Sequence, residues 1–281
     1  MRIDNDGVGL EVTVDGPEDG PPVLLLHGVS SSSATYDFLV PHFPRHRLYR
    51  LDFRGHGGSD RAPGTYDVEH FATDAEAVLS RIGPAPVVGH SLGGITAALV
   101  TQRRPDLAPA VFLEDPPLYF GDKAVFDATP FAVVFPLMQA AVRGWQANGT
   151  TADEIAALMA VTPSMSGRGT MGDENHPDAL AAFGASLTRF DPSVFDSVLD
   201  GTALGDFDPD VPISSSGVLL QPDRELGAAF FDEHAVRLAS VNPSIEVVRL
   251  RGVGHLVHDS LSHREQYLAE LDRFLQKAAT A

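Results

Sequence analysis

Short apolar runs bounded by Gly and Pro recur along both ends of the chain, and longer amphipathic stretches separate them. A continuous apolar run such as Val23–Leu26 is typical of a strand buried on both faces. Leu10–Val14 instead alternates apolar and polar residues, like a strand with one face in solvent. The strands predicted in this way are Leu10–Val14, Val23–Leu26, Arg47–Leu51, Pro86–Val88, Val111–Leu113, Ser216–Leu220 and Glu246–Leu250.

Between these strands the apolar residues change to helical spacing. The predicted helices of this kind are Val68–Ile82, Gly94–Arg103, Phe231–Val241 and Arg264–Lys277. Regular alternation of strand and helix is typical of a parallel sheet covered on both faces by helices. The sequence therefore predicts an α/β fold with a mostly parallel central sheet flanked by helices.

The middle of the chain breaks this alternation. From Pro116 to Val211 the pattern predicts helices only, interrupted by Gly, Pro and Ser. These helices are Phe131–Asn148, Ala152–Val161, Asp178–Arg189 and Val194–Leu199. A length of 281 residues suits one α/β core with an insertion. We expect a core of residues 1–115 and 212–281 and a helical cap of residues 116–211.

Composition narrows the classes of function. Hydrophobic residues make up 43% of the chain and charged residues 21%, as in ordinary soluble globular proteins. The formal net charge of −18, with no local basic stripe, argues against a nucleic-acid partner. The absence of cysteine excludes a disulfide framework, a thiolate nucleophile and a cysteine-ligated metal. The histidines lack the spacing of a metal motif, so we expect neither metal nor other cofactor.

Met1–Gly9 is polar and does not resemble a secretory signal, and no apolar run approaches the roughly 20 residues needed to span a bilayer. We therefore expect a cytoplasmic protein with no membrane partner. Whether it forms a homo-oligomer stays open.

The pentapeptide Gly89-His90-Ser91-Leu92-Gly93 follows a predicted strand and opens a predicted helix. A sharp turn at this point would project a serine hydroxyl out of the sheet, and small flanking residues avoid clashes. Ser91 is therefore the candidate nucleophile, and a polar turn residue is the structural alternative. His90, inside the turn, either packs in the loop or lines the pocket.

A serine nucleophile needs a base and a site for the oxyanion of a tetrahedral intermediate. His255 follows the last predicted strand and is the candidate base, with His258 as the local competitor. His27-Gly28-Val29 follows an earlier strand, where the amide of Val29 can join that of Leu92 to bind the oxyanion.

Four motifs occur in a fixed order along the chain: HG, D-x-R-G-x-G-x-S, G-H-S-L-G-G and G-x-G-H. With these motifs the sequence resembles the α/β-hydrolase superfamily over essentially its whole length. The resemblance implies that Ser91 and His255 act together and that residues 116–211 form the helical cap placed after the sixth strand.

The third member of such a triad is a carboxylate with three candidates. Most of the superfamily carries the acid after the seventh strand, close to Asp223, but the usual Gly-x-x-Asp turn is missing there. A minority, including haloalkane dehalogenases and zearalenone-type lactonases, carries it at the end of strand six, where Asp115 stands beside Glu114. We favour Asp115 and keep Asp223, and then Glu114, as alternatives.

Apolar residues of the helical segment indicate an apolar binding cavity. They are Phe126, Phe131, Val134, Phe135, Leu137, Met138, Trp145, Met159, Met165 and Met171. Any one of them can instead be a core residue, because both uses give helical spacing. The substrate-binding residues we select are Gly28, His90, Phe131, Phe135 and Trp145.

Together these features predict a serine hydrolase that cleaves a small apolar ester or lactone through an acyl-enzyme intermediate. Serine at the turn, in place of aspartate, argues against epoxide hydrolase and dehalogenase chemistry. Carbon–carbon bond hydrolysis or cofactor-free perhydrolysis on the same residues remains an alternative, as does a non-catalytic small-molecule receptor, because one fold hosts many functions.

Overall fold

An eight-stranded sheet forms the centre of the molecule. The computed structural model describes residues 1–280. The strand order is β1-β2-β4-β3-β5-β6-β7-β8, with β1 and β2 antiparallel to their neighbours and the other strands parallel. The strands are β1 (Arg2–Asn5), β2 (Val8–Asp15), β3 (Pro22–Leu26), β4 (Arg47–Leu51), β5 (Val87–His90), β6 (Ala110–Glu114), β7 (Ser216–Gln221) and β8 (Ile245–Arg249).

Ten α-helices and two short 3₁₀ segments, Ser33–Leu39 and Arg224–Leu226, complete the described secondary structure of residues 1–280. The helices are α1 (Val68–Ile82), α2 (Leu92–Arg103), α3 (Lys123–Asp127), α4 (Phe131–Asn148), α5 (Ala152–Ala160), α6 (Met171–Glu174), α7 (Pro177–Arg189), α8 (Val194–Leu199), α9 (Asp232–Val241) and α10 (Arg264–Ala278). The predicted α/β fold with a mostly parallel, helix-flanked sheet is confirmed.

The continuous apolar strands are buried on both faces, as the sequence predicts. In β3, Leu24 and Leu26 join a core cluster with α1 and α2, whereas Val23 and Leu25 join a second cluster with α10. Successive side chains of a strand point to opposite faces, so both helical layers must be present to cover the run.

Between β6 and β7 the chain forms helices α3 to α8. Sequence signals at their ends explain where two of them begin. Thr151 and Glu154 form a reciprocal capping box at the start of α5, and Pro177 occupies the first position of α7, where its missing N–H costs no hydrogen bond. The division into a core and a cap remains a prediction.

The sequence does not predict β1, α3 or α6. Each is only four or five residues long, too short to show a period. β1 is held by its pairing with β2, from Arg2 opposite Glu11 to Asn5 opposite Val8.

Across residues 1–280, none of the helices has the length and the apolar character that crossing a membrane requires. The parallel strands end at one edge of the sheet, which is where ligands bind in open α/β sheets. The loops after β3, β5, β6 and β8 meet there and carry the candidate site residues.

Candidate active site

Ser91 lies where β5 ends and α2 begins, in a strained backbone conformation. Its φ of 51° and ψ of −114° fall in a region that residues other than glycine rarely adopt. The turn has no room for a side chain at Gly93, where a Cβ would lie 2.0 Å from the carbonyl oxygen of Leu26. The turn holds Ser91 at the wall of a cavity.

The loop after β3 approaches this turn closely. A Cβ at Gly28 would lie 2.7 Å from Nδ1 of His90 and 3.4 Å from Cβ of Ser91, so only glycine allows the two backbones to come together. Further along the loop, the amide of Ser30 donates to Nε2 of His56 at 3.3 Å. These contacts fix the loop beside the serine.

Two backbone amides of this region, those of Val29 and Leu92, donate to no protein acceptor within residues 1–280. Leu92 is the first residue of α2, so its amide is one of the four that a helix cannot satisfy internally. Amides that flank a serine and lack protein acceptors can hold a developing oxyanion.

His255 is joined to Asp115 by a buried hydrogen bond of 2.5 Å between Nδ1 and Oδ2. Asp115 is fully buried, and its carboxylate also accepts the backbone amides of Ala229 and Phe230, each at 2.8 Å. An ionised carboxylate only accepts hydrogen bonds, so the contact assigns the proton to Nδ1 of the imidazole. Nε2 is then left with its lone pair for a partner such as the Ser91 hydroxyl.

The backbone explains why Asp115 faces the histidine. Asp115 has a φ of 44°, a left-handed conformation that turns the chain sharply after β6. Its amide remains bound to the carbonyl of Leu220 on β7 at 3.1 Å. This turn directs the carboxylate across the end of the sheet toward the loop after β8.

Asp223, the alternative acid, has different partners. Its carboxylate pairs with Arg251 at 2.9 Å and accepts the amide of Gly252 at 2.7 Å. It thus joins the loop after β7 to the loop that leads to His255, and the imidazole's carboxylate contact is with Asp115 instead.

Glu114, the third candidate, contacts the other histidine of the loop. Its Oε2 lies 2.7 Å from Nδ1 of His258, whose Nε2 lies 3.0 Å from the hydroxyl of Thr35. The polar atoms of His90, Glu114 and His258 lie within 4.8 Å of one another, an arrangement of the kind that can hold a metal and that sequence spacing did not reveal. Both ring nitrogens of His258 are engaged by protein partners, which favours an ion pair over a metal centre.

Burial lowers the pKa of His90 well below its usual value, and the neighbouring His255 and His258 rings lower it further. His90 therefore stays neutral, and its Nε2 contacts the carbonyl oxygen of His255 at 3.1 Å. Its ring lies 4.7 Å from the His255 ring. His90 lines the cavity and also supports the loop that carries His255.

Two cavities meet at Ser91, one of about 490 Å³ and one of about 240 Å³. The residues that line both are Val29, Ser91, Phe131 and Phe135. His255 lines only the larger cavity, and Leu92 lines only the smaller one. The ring of Phe131 lies 4.8 Å from the His255 ring, edge to face. Phe131 and Phe135 thus lie between the two cavities where they meet at the serine.

Most of the apolar residues selected from the helical segment line one of these cavities, whereas Trp145 lines neither of the two. Phe131, Phe135 and Met138 line the larger cavity, whereas Trp145 continues the same stripe of α4 toward its end and packs against the core outside both cavities. Leu137 lies on the opposite face of the helix and is 66% exposed. Helical periodicity identifies the stripe but not how far along it the cavity extends.

A family model described as the alpha/beta hydrolase fold matches residues 21–179. The chain is 33% identical over 149 residues to the lipase LipV of Mycobacterium tuberculosis, a match that covers 52% of this chain and 57% of LipV. It is 34% identical over 132 residues to the bifunctional esterase/perhydrolase DCH of Acinetobacter calcoaceticus, covering 44% of this chain and 48% of that protein. The matches thus span about half the length of these relatives.

Solved structures match over almost the whole chain. The N-formylmaleamic acid deformylase of Pseudomonas putida S16 superposes with a TM-score of 0.73 at 16% identity, covering 96% of this chain and 99% of that one. The enol-lactonase of Burkholderia xenovorans LB400 gives a TM-score of 0.71 at 19% identity, covering 98% of this chain and all of that one. At these identities the likeness concerns the fold alone.

Proposed function

This chain belongs to the alpha/beta hydrolase fold family, and we propose that it is a serine hydrolase that cleaves apolar esters or lactones through an acyl-enzyme intermediate. The observation that carries the proposal is the buried hydrogen bond between Asp115 and His255, at the wall of a cavity that also contains Ser91. A base oriented by a carboxylate beside a strained serine is the arrangement that activates a hydroxyl for acyl transfer.

In the first half of the reaction, the Ser91 oxygen attacks the carbonyl carbon while Nε2 of His255 takes the hydroxyl proton. Asp115 stabilises the imidazolium that forms. The amides of Val29 and Leu92 hold the oxyanion of the tetrahedral intermediate. The carbon–oxygen bond to the alcohol then breaks, and His255 gives its proton to the departing oxygen.

In the second half, water attacks the acyl group on Ser91 and loses a proton to His255. The bond between the acyl carbon and the Ser91 oxygen breaks, His255 returns the proton to that oxygen, and the carboxylic acid leaves. For a lactone, the alcohol and the acid belong to one product.

The two cavities suggest which part of the substrate lies where. The departing alcohol must face His255, which lines the larger cavity, and the oxyanion must face the amide of Leu92, beside the smaller one. The acyl chain is then directed into the smaller cavity. At about 30 Å³ for each water-sized group, its 240 Å³ holds about eight carbon atoms. Each buried methylene contributes about 0.8 kcal/mol, so kcat/KM should rise up to about fourfold per carbon until this space is full.

The lining favours uncharged substrates. Apolar side chains such as Phe135, Met138 and Met159 cover the larger cavity. Its lining also contains three acidic residues, Asp173, Glu174 and Asp259, against one cation, Arg168. Together with the net charge of −18, these carboxylates disfavour an anionic substrate. We infer that residues 116–211, which supply most of this lining, act as a cap over the site.

Labelling with a fluorophosphonate tests the nucleophile. The protein should take up one equivalent at Ser91, and Ser91→Ala should take up none while retaining its fold and losing about 10⁴-fold to 10⁶-fold in kcat. Asp223→Asn serves as the control, because Asp223 contacts Arg251 and not His255. An unlabelled wild-type protein would instead support a non-catalytic receptor.

p-Nitrophenyl esters of two to sixteen carbons, together with lactones, then define the substrate. Perhydrolysis is a second candidate activity, favoured by the similarity to the esterase/perhydrolase DCH. In that reaction acetic acid acylates Ser91 with release of water, and hydrogen peroxide, in place of water, then attacks the acyl group. The bond between the acyl carbon and the Ser91 oxygen breaks, the peracid leaves, and His255 returns the proton to Ser91. Peracid formation from acetate and peroxide, measured with and without Ser91→Ala, separates it from ester hydrolysis.

A further inference from the structure

A second carboxylate–imidazole pair lies directly beside the first. Glu114 precedes Asp115 at the end of β6, and His258 follows His255 in the same loop. Glu114 binds His258 twice: Oε2 lies 2.7 Å from Nδ1, and Oε1 accepts the backbone amide of His258 at 3.0 Å. Both side chains are 1% exposed. Two neighbouring acids therefore join one strand end to one loop at two points.

Glu114 also contacts the nucleophile turn. Its carbonyl oxygen accepts the amide of Ser91 at 2.9 Å. A single residue thus binds the serine turn through its backbone and the histidine loop through its side chain. His258 extends the connection to Thr35, which lies in the 3₁₀ segment that follows the Val29 loop, at 3.0 Å.

The second pair is charged. Burial disfavours the charge on His258, but Asp259 and Glu114 together outweigh it and raise the pKa of His258 to about 9. Burial in turn raises the pKa of Asp259, whose Oδ1 lies 3.4 Å from Nε2 of His258. The other titratable or charged groups that face the His258 ring or its backbone are His90, Arg264, Tyr36 and Tyr267.

We propose that Glu114 and His258 are positioning residues of the hydrolytic reaction, because their ion pair fixes the loop of His255 relative to the turn of Ser91. This inference rests on the proposed function. Asp115 and His90 hold the loop at His255 itself, and Asp223 holds it before His255, at Gly252. The Glu114–His258 pair adds an attachment after His255, three residues further along the loop, and displacements of about 1 Å in such sites cost about 10²-fold in rate.

Glu114→Gln tests the inference because it removes the charge, keeps the size and leaves the cavity lining unchanged. We expect kcat per fluorophosphonate-labelled site to fall about 10²-fold, with KM within twofold of the wild type. The matched control is Asp74→Asn. Asp74 is a fully buried carboxylate that pairs with Arg54 at 2.6 Å, and it lines neither cavity. The Asp74→Asn variant should have a lower denaturation temperature than the wild type but the same kcat per labelled site.

The pH profile separates positioning from general structural support. Loss of the proton from His258 breaks the ion pair, so wild-type kcat should fall reversibly near pH 9 while circular dichroism remains unchanged. In Glu114→Gln this alkaline decline should be absent, because the variant has no Glu114–His258 ion pair to lose at any pH. In Asp74→Asn it should stay where it is in the wild type.

Three results would overturn the inference and leave the proposed function standing. One is a Glu114→Gln variant whose kcat per labelled site stays within threefold of the wild type. Another is an alkaline decline in kcat that persists unchanged in this variant. If Glu114→Gln does not fold, the wild-type profile decides alone, and constant kcat from pH 8 to 10 is the contrary result. Wild-type protein that takes no label contradicts the proposed function itself, and this inference with it.

Discussion

Acidification should destabilise the folded protein through histidines that are buried without charge. His56, His90 and His234 are the clearest cases. Burial lowers the pKa of His56 well below its usual value, with a further contribution from His27, and it lowers the pKa of His90 in the same way. Burial also lowers the pKa of His234 to about 4.

The magnitude follows from the unfolded chain, in which a histidine has a pKa of about 6.5. A histidine that stays neutral when folded contributes stability that is complete above this pKa and is lost as the pH falls. From pH 7.5 to 5.5 the loss is about 1.4 kcal/mol for each residue, or about 4 kcal/mol for the three. His258 acts in the opposite direction. Its pKa is raised in the folded protein, so its contribution to stability grows as the pH falls and is complete only below about pH 6.5. From pH 7.5 to 5.5 it adds about 1 kcal/mol to the free energy of unfolding.

The net loss from these histidines, about 3 kcal/mol, is large beside the 5–15 kcal/mol that stabilises most domains. Urea unfolding at pH 7.5, 6.5 and 5.5 measures it. The sharper test is His56→Gln, whose amide can still accept from Ser30 and donate to the carbonyl of Arg54. This variant should lose about 1.4 kcal/mol less than the wild type over the same interval.

Leu137→Gln is the control, because Leu137 carries no titratable group and is 66% exposed. It should leave the pH dependence of the unfolding free energy unchanged. The reasoning is refuted if His56→Gln and the wild type lose the same free energy between pH 7.5 and 5.5, since His56 would then take up its proton in the folded state as readily as in the unfolded chain.

Three further outcomes are expected. Asp115→Asn should lower kcat by about 10⁴-fold, the loss known for the equivalent change in a serine protease, and Asp223→Asn should stay within a few-fold; steady-state kinetics giving the reverse order would reassign the acid. Phe131→Ala should join the two cavities and raise the ratio of kcat/KM for dodecanoate over butyrate esters at least tenfold, whereas Trp145→Ala should leave this ratio unchanged. If Phe131→Ala and the wild type have equal ratios, Phe131 does not belong to the acyl site. Trypsin should cut first after the exposed Arg168, as intact-mass analysis would show, and early cuts within the central strands would contradict this.

The order of strands and helices could be predicted because burial on both faces leaves a continuous apolar run, as in β3 and β6. β1 could not, since its side chains alternate between exposed and half-buried positions and its pairing with β2 supplies what the pattern lacks. The bounds of α4, Phe131–Asn148, could be predicted because Pro130 and Gly149 flank an uninterrupted apolar stripe.

For the candidate site, motifs identify Ser91 and His255, but spacing along the chain does not choose between Asp115 and Asp223. The choice depends on where each carboxylate points, which follows from the left-handed backbone at Asp115 and from the two amides of Ala229 and Phe230 that receive its oxygens. Those amides lie more than a hundred residues away in the sequence. The role of each of these residues in turnover remains a prediction.

The unequal cavities on the two sides of Ser91 have a stereochemical consequence. A branch next to the acyl carbonyl must fit in about 240 Å³, beside the wall formed by Phe131 and Phe135, whereas a branch in the alcohol can turn within about 490 Å³. Mirror-image forms of a 2-substituted acid therefore meet different walls, while mirror-image secondary alcohols have room to adopt equivalent poses. Under the proposed function, the protein should resolve racemic esters by the handedness of their acid and be nearly indifferent to that of their alcohol.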